Sequence, residues 1–232
     1  MNDHSPDDAM GAWNEEFKRE EKDRKYPKWP NETMIKILFG GGNYLSEPFL
    51  PQPSWRVLDA GCFFANNLVP FADIGCECHG VDLTLEMAAT AQQIMEERGY
   101  KTTIQAGSNR ALPYPDAYFD LLLSVNTLHY EGTEENFLAA LREFRRVIKP
   151  GGGLYISTVG PEHEIYRRAE VLGGHLYRVQ DFDFRNGEQF FFCDTERYLQ
   201  HYCEQVFESV ETGRVTEKLM NFPLDFLVAF CR

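Results

Sequence analysis

Long hydrophobic runs are missing from this sequence. No stretch of its 232 residues approaches the roughly 20 consecutive apolar positions that a membrane helix requires, so no membrane span is expected. Basic blocks are missing too. The formal net charge is −13 and no cluster of Lys or Arg interrupts it, which argues against a nucleic-acid partner, because that affinity comes from Lys and Arg neutralising phosphates. The opening residues, "MNDHSPDDAMGAW", are acidic and polar rather than secretory, and a cytoplasmic location is expected. Zinc spacing is absent: Cys76 and Cys78 are separated by one residue, whereas zinc loops place two or more between their cysteines. The six cysteines are therefore read as reduced, buried thiols and no metal site is expected. No Ser/His/Asp arrangement stands out, and there is neither an internal repeat nor a low-complexity segment.

What remains is ample for one large domain with a core, since 43% of the residues are hydrophobic and 25% charged. Residues 12–39 mix charge with Trp13, Phe17, Tyr26 and Trp29 and end on "MIKILF", a helical segment interrupted by Pro27 and Pro30. A Gly- and Pro-rich loop, "GGGNYLSEPFLPQPS", divides this segment, residues 1–53, from the α/β unit, residues 54–232. From Trp55 short apolar strands alternate with helices. "WRVLDA", "CECHGVDL", "KTTIQA", "FDLLLSV" and "GLYISTV" read as strands, and the fourth is continuous enough to be buried on both faces. "NNLVPFADIG", "LEMAATAQQIMEERG" and "EENFLAALREFRRVIK" read as helices; Thr84 and Thr133 cap the last two, while Gly75 and Gly99 stop the first two. Beyond Gly160, "PEHEIYRRAEVLGG" reads as a helix, Asn186-Gly187 as a hairpin turn between aromatic-rich runs, "TERYLQHYCEQVF" as a helix and "LDFLVAFCR" as a last strand. Alternation of this kind builds a doubly wound, mostly parallel sheet. Ligands bind such sheets outside the carboxyl ends of the strands, so the loops after Ala60, Leu83, Ala106 and Val125 converge on one crevice.

Asp59 and Gly61 follow the first strand in "VLDAGCFFANN", and Asp82 ends the second about 20 residues later, where a carboxylate accepts both hydroxyls of an adenosine ribose. A nicotinamide site needs GxGxxG, which "GCFFAN" does not supply. These residues resemble the first motif, roughly VLDxGCGxGNN, of the class I S-adenosylmethionine-dependent methyltransferases, in the branch acting mostly on small molecules. "GCECHGVDLTLEMAATAQ" is similar to that family's next block, "AGSNRALPYPDAYFDLLLSVNTLHY" to its GDAxxLPFxDxxFDxVxxxxxLHH pattern, and "LREFRRVIKPGGGLYIST" to its helix and PGG turn. The resemblance spans residues 55–159 closely and the remainder loosely.

The resemblance implies a Rossmann-like methyltransferase fold: a seven-stranded sheet with an N-terminal helical lid and a hairpin insertion. It implies S-adenosylmethionine as cofactor and a small-molecule acceptor. Asp59, Gly61 and Phe63 would shape the methionine end, Asp82 would take the ribose, Leu83 would pack on the adenine, Ser108 and Asn109 would stand at the adenine amino group, and Asn126 would line the site after the fourth strand. His129 and Tyr130 fill the LHH-like positions as the catalytic candidates. Tyr26, Trp29, Tyr166, Arg185 and Phe190 are the candidates facing the acceptor. Two departures matter. The second and third glycines of the loop are Phe63 and Ala65, and the adenine-reading acid is Ser108. A Phe63 ring aimed into the crevice collides with the cofactor, whereas a ring turned aside spares it. The first case leaves a methyltransferase-fold protein that binds another ligand or does non-methylating chemistry.

Overall fold

"RVLDA" places Val57 and Leu58 on opposite faces of one strand, and both side chains are buried. A strand apolar on both faces needs a layer on each side, and helices supply them. The computed structural model describes residues 6–23, 28–182 and 185–232. Its helices are α1 (Pro6–Asp23), α2 (Glu32–Phe39), α3 (Val69–Asp73), α4 (Leu85–Glu97), α5 (Glu134–Val147), α6 (Glu164–Arg167) and α7 (Glu196–Glu204). Its strands are β1 (Arg56–Ala60), β2 (Glu77–Asp82), β3 (Thr102–Ala106), β4 (Phe119–Val125), β5 (Ile148–Val159), β6 (Glu170–Gly173), β7 (Leu176–Arg178), β8 (Gln189–Phe191), β9 (Val210–Leu219) and β10 (Phe222–Cys231). A 3-10 turn, Leu128–Glu131, follows β4.

The main sheet has the order β3-β2-β1-β4-β5-β10-β9. Strands β3 to β5 run parallel, and β10 lies antiparallel between β5 and β9. This is the mostly parallel seven-stranded sheet the sequence predicts. Strand order reverses between β1 and β4, so the crevice beyond their carboxyl ends is the topological switch point. Alternate residues feed two cores. Leu58, Ala60 and Leu122 pack with Phe137, Leu141 and Phe144 of α5, while Val57, Leu121 and Leu123 pack with Met34, Leu38 and Phe71. Each such side chain stabilises the fold by about 1.5–3 kcal/mol relative to exposure.

The punctuation matches the sequence. Thr84 Oγ1 accepts from Met87 N at 3.1 Å and Thr133 Oγ1 from Asn136 N at 3.1 Å. Gly75 and Gly99 take φ of +90° and +85° just beyond their helices. The six cysteines are free and buried, and burial pushes the Cys76 thiol up to about 11.

Three expectations need correction. The helix over residues 161–174 is a single turn, α6, capped by His163 Nδ1 accepting from Ile165 N at 3.2 Å. Beyond it Glu170 and Val171 pair with Arg178 and Tyr177 of β7, because Gly173 and Gly174, both at positive φ, turn the chain into a hairpin. The Asn186-Gly187 pair is not a two-residue hairpin tip either. β7 does pair antiparallel with β8, but a longer connection joins them, with Gly187 N donating back to Val179 O at 2.9 Å. Finally, α5 stops at Val147, since Ile148 is already extended and pairs with Phe119.

Candidate active site at the strand ends

The loop after β1 begins with Gly61 N and Cys62 N both donating to Val81 O, at 2.8 and 3.0 Å. Gly61 has φ +72°, and a Cβ there would lie 2.4 Å from Thr127 Cγ2, so only glycine fits. Phe63 and Ala65, which replace two glycines, keep the same left-handed backbone at φ +49° and +59°. L-residues in that region cost about 1–2 kcal/mol each. The loop therefore holds its glycine conformation without its glycines.

Phe63 N donates to Asp82 Oδ2 at 2.6 Å, and Leu83 N to Asp82 Oδ1 at 2.8 Å. Burial raises the Asp82 carboxyl above the ordinary range, and these two amides pull it back. The Phe63 ring packs on α1, with ring centroids 5.1 Å from Phe17 and 6.2 Å from Trp13. Phe17 in turn stacks on Phe64 at 4.4 Å, within a cluster that includes Met87 and Ile94. Lys18 pairs with Glu86 at 3.3 Å and Trp13 meets the Tyr130 ring at 5.1 Å. Helix α1 thus crosses from the start of α4 to the turn after β4, over the ends of β1 and β2, and the Phe63 ring is part of that cover.

Beneath it Asp59 is fully buried. Its Oδ2 accepts from Asn67 Nδ2 at 3.4 Å, while Oδ1 has no hydrogen-bond partner. Burial pushes this carboxyl up to about 7, Asn67 opposes the shift and the Asp82 charge adds to it. Asn126, at φ +57°, accepts from Ser157 Oγ at 3.0 Å. Ser108 bridges to Ala111, Asn109 Nδ2 donates to Glu131 Oε1 at 3.0 Å, and Leu83 is 47% exposed beside them.

A second group gathers beyond β4. His129 is buried, its Nδ1 lies 3.1 Å from Thr158 Oγ1, and burial, then the charges of Arg185 and His163, hold its imidazole well below the usual range, so it is neutral. Arg185 Nη1 donates to Tyr130 OH at 3.3 Å, and the rings of Tyr130 and Phe190 meet at 4.6 Å. Tyr166 stands a layer away, bonded to Tyr177 OH at 2.6 Å and to Asp194. Trp29 is 85% exposed and Tyr26 lies outside the described residues. The geometry adds Trp13, Phe17 and Glu188 to the sequence candidates. Trp13 and Phe17 stand four apart on one helix face, a signal present in the sequence; Glu188 carries none, because its burial depends on α1.

A 3-2-1-4-5 parallel sheet with an antiparallel strand inserted at its far side, and a carboxylate ending β2 below a left-handed loop, defines the class I methyltransferase fold. Residues 58–156 match the family model described as a methyltransferase domain. Over these residues the chain is similar to the S-adenosylmethionine-dependent methyltransferases, whose fold it shares. It is 31% identical over 128 residues to the uncharacterized methyltransferase YcgJ of Bacillus subtilis, a match covering 54% of this chain and 48% of that protein. It is 24% identical over 140 residues to tRNA (carboxymethyluridine(34)-5-O)-methyltransferase of Arabidopsis thaliana, covering 60% of this chain and 30% of that one. The chain thus spans about half the length, or less, of these curated relatives. It shares its fold, with TM-score 0.67 and 17% identity over 98% of this chain and 90% of the other, with 1,6-didemethyltoxoflavin-N1-methyltransferase of Burkholderia thailandensis, solved with 1,6-didemethyltoxoflavin and S-adenosylhomocysteine.

The residues fit the family's cofactor, S-adenosylmethionine. Each Asp82 oxygen accepts one amide and keeps a lone pair for a ribose hydroxyl. The unpartnered Asp59 oxygen is a buried acceptor suited to an ammonium.

Proposed function

We propose that the chain transfers a methyl group from S-adenosylmethionine to a small-molecule acceptor. The observation that carries this reading is the β1 loop: at Phe63 and Ala65 it keeps φ of +49° and +59°, and it delivers the Phe63 amide to Asp82 although two glycines are gone. In this reading Asp82 holds the ribose, Asp59 Oδ1 accepts from the cofactor ammonium, Leu83, Ser108 and Asn109 border the adenine and Asn126 borders the methionine. When bound, the cofactor supplies an electrophilic methyl carbon. The protein's own work is positioning and exclusion of water. His129 is a positioning residue, neutral and tied to Thr158, and it braces Tyr130, whose hydroxyl is held by Arg185. Helix α1 acts as a lid, with Trp13 and Phe17 closing over the loop. The crevice wall of Trp13, Tyr130 and Phe190 is aromatic, which suits a small acceptor better than a phosphate-bearing one.

Calorimetry with S-adenosylhomocysteine tests the reading. The native chain is expected to bind, and Asp82→Asn to bind about tenfold or more weakly through loss of charge-assisted bonds. Phe63→Gly is expected to retain binding, because the contact to Asp82 is a backbone amide. No binding by the native chain together with binding by Phe63→Gly would overturn the proposal and assign the ring the role of a plug.

A further inference from the structure

Glu188 is 6% exposed and no hydrogen bond of ordinary geometry reaches its carboxylate oxygens, although the Trp13 side chain and the Arg185 charge lie close enough to favour its ionised form. A buried acid with so few donors is unfavourable, and such a group calls for an explanation, a binding role among them. Its position is held by the backbone: Glu188 N donates to Arg185 O at 3.1 Å and Glu188 O accepts from Val179 N at 2.9 Å. Burial pushes the carboxyl up to about 8, with the Arg185 charge and then Trp13 pulling it back. Trp13 comes from α1, and Arg185 from the same connection; Arg185 spends its Nη1 on Tyr130 OH, and its charge also bears on His129 and His163. Both histidines are held below the ordinary imidazole range by burial, so neither supplies a neutral-pH countercharge. Trp13 also contacts the Phe63 ring of the cofactor loop and the Tyr130 ring. The carboxylate therefore sits on the acceptor side of that loop, beside an aromatic wall.

We propose that Glu188 is the acceptor-binding carboxylate and that the acceptor is a small amine whose N–H it accepts, with the faces of Trp13, Tyr130 and Phe190 taking the rest of the molecule. The chemistry is complementary on both counts. A cationic N–H supplies a further donor to the buried oxygens, and aromatic faces attract a cation within about 6 Å of their centroids. Because the carboxyl holds its proton at neutral pH, an ammonium binds by displacing that proton and then passes its own N–H proton to the carboxylate, freeing the lone pair that takes the methyl group; amine affinity rises as pH rises toward about 8. This inference rests on the methyltransferase reading, which supplies the reason for an acceptor to stand here.

The test uses the full chain, native and Glu188→Gln, with benzylamine and its uncharged isostere benzyl alcohol as probes and S-adenosylhomocysteine as a control. Calorimetry is expected to show benzylamine bound at least tenfold more weakly by Glu188→Gln, with benzyl alcohol and S-adenosylhomocysteine unchanged within twofold. Thermal unfolding adds an independent readout. Above about pH 8, where the buried carboxyl ionises, removing that charge is expected to raise the melting temperature of Glu188→Gln by about 2–4 °C relative to the native chain. Equal benzylamine behaviour of the two proteins, including no binding by either, would overturn the proposal. So would a lower melting temperature, which would assign the carboxylate to the fold. Failure of S-adenosylhomocysteine to bind the native chain, with benzylamine still distinguishing the two proteins, would sink the methyltransferase reading while leaving the amine site standing.

Discussion

Gly61 and Ala65 share a left-handed backbone but not the same surroundings, and substitution separates the two constraints. Gly61→Ala adds a methyl 2.4 Å from Thr127 Cγ2 at φ +72°, combining backbone strain of about 1–2 kcal/mol with overpacking of about 1–3. A loss of about 2–5 kcal/mol in urea unfolding is expected. Ala65→Gly relieves about 1–2 kcal/mol of strain, but it gives up a buried methyl worth about 0.8 and loosens the unfolded chain by about 0.5–1. Its stability should stay within about 1 kcal/mol of the native chain. The buried acids make a second prediction. Asp59 ionises near 7 in the folded chain and near 4 when unfolded. Between those values the folded state holds a proton that the unfolded chain has lost, so stability falls as pH rises, by about 1.4 kcal/mol per unit at full difference. Glu188, raised to about 8, prolongs the fall. The buried histidines His129 and His163, held below the ordinary imidazole range, act oppositely below about 6.5, so the carboxyl effect is read as a difference: in urea unfolding the stability of Asp59→Asn relative to the native chain should rise as pH goes from 5 to 7. Asp59, Gly61 and Asp82 were legible in the sequence because each is dictated by its own strand end. The direction of the Phe63 ring was not, since it depends on Phe17 and Trp13 of a distant helix.

Helix α1 is the element on which the crevice depends. Its hold on the α/β unit runs through Phe17 against Phe64, Met87 and Ile94, with exposed or half-buried polar links from Asn14 and Lys18 to Glu86 at 3.3 Å adding little. Truncating a buried phenylalanine costs about 3–5 kcal/mol in a core that cannot relax. An element docked through two rings, Phe17 and Trp13, can undock instead when one is removed, which caps the loss. Phe17→Ala is therefore expected to lower amide-exchange protection across 6–23 while leaving β1, β4 and β5 protected, and a uniform loss over the sheet would refute local release. Element types were legible wherever periodicity was long, as in α5, whose apolar positions Phe137, Leu141 and Phe144 all face the core. They failed between Gly160 and Phe191, where elements shrink to three or four residues and pairing partners decide the outcome, while α7 and β10 beyond it were legible. Glu170 and Val171 became β6 because β7 lay beside them, not because their own pattern demanded it.

At the scale of the whole molecule, charge bears on the choice between acceptors as different as a small amine and a tRNA. A net charge of −13 repels polyphosphate at long range, but a local basic track over the crevice would outweigh it, so the rim decides. Among the described residues two rim cations are already matched: Lys18 stands 3.3 Å from Glu86, and Arg110 is 2.9 Å from Glu131. Such pairs leave little field to condense phosphates, and the binding term that falls with salt, by about 0.9 log units per phosphate contact for each decade of salt, has few contacts to draw on. Bulk tRNA is accordingly expected to show no retardation by this chain in native gels at physiological ionic strength, and none on lowering the salt to about 50 mM, where a basic binder gains about 10³–10⁵ in affinity. Retardation that appears at low salt and weakens steeply as salt rises would place a phosphate track on this surface. It would also remove the basis for a small acceptor, since the aromatic wall and the buried Glu188 would then face a nucleobase rather than a free amine.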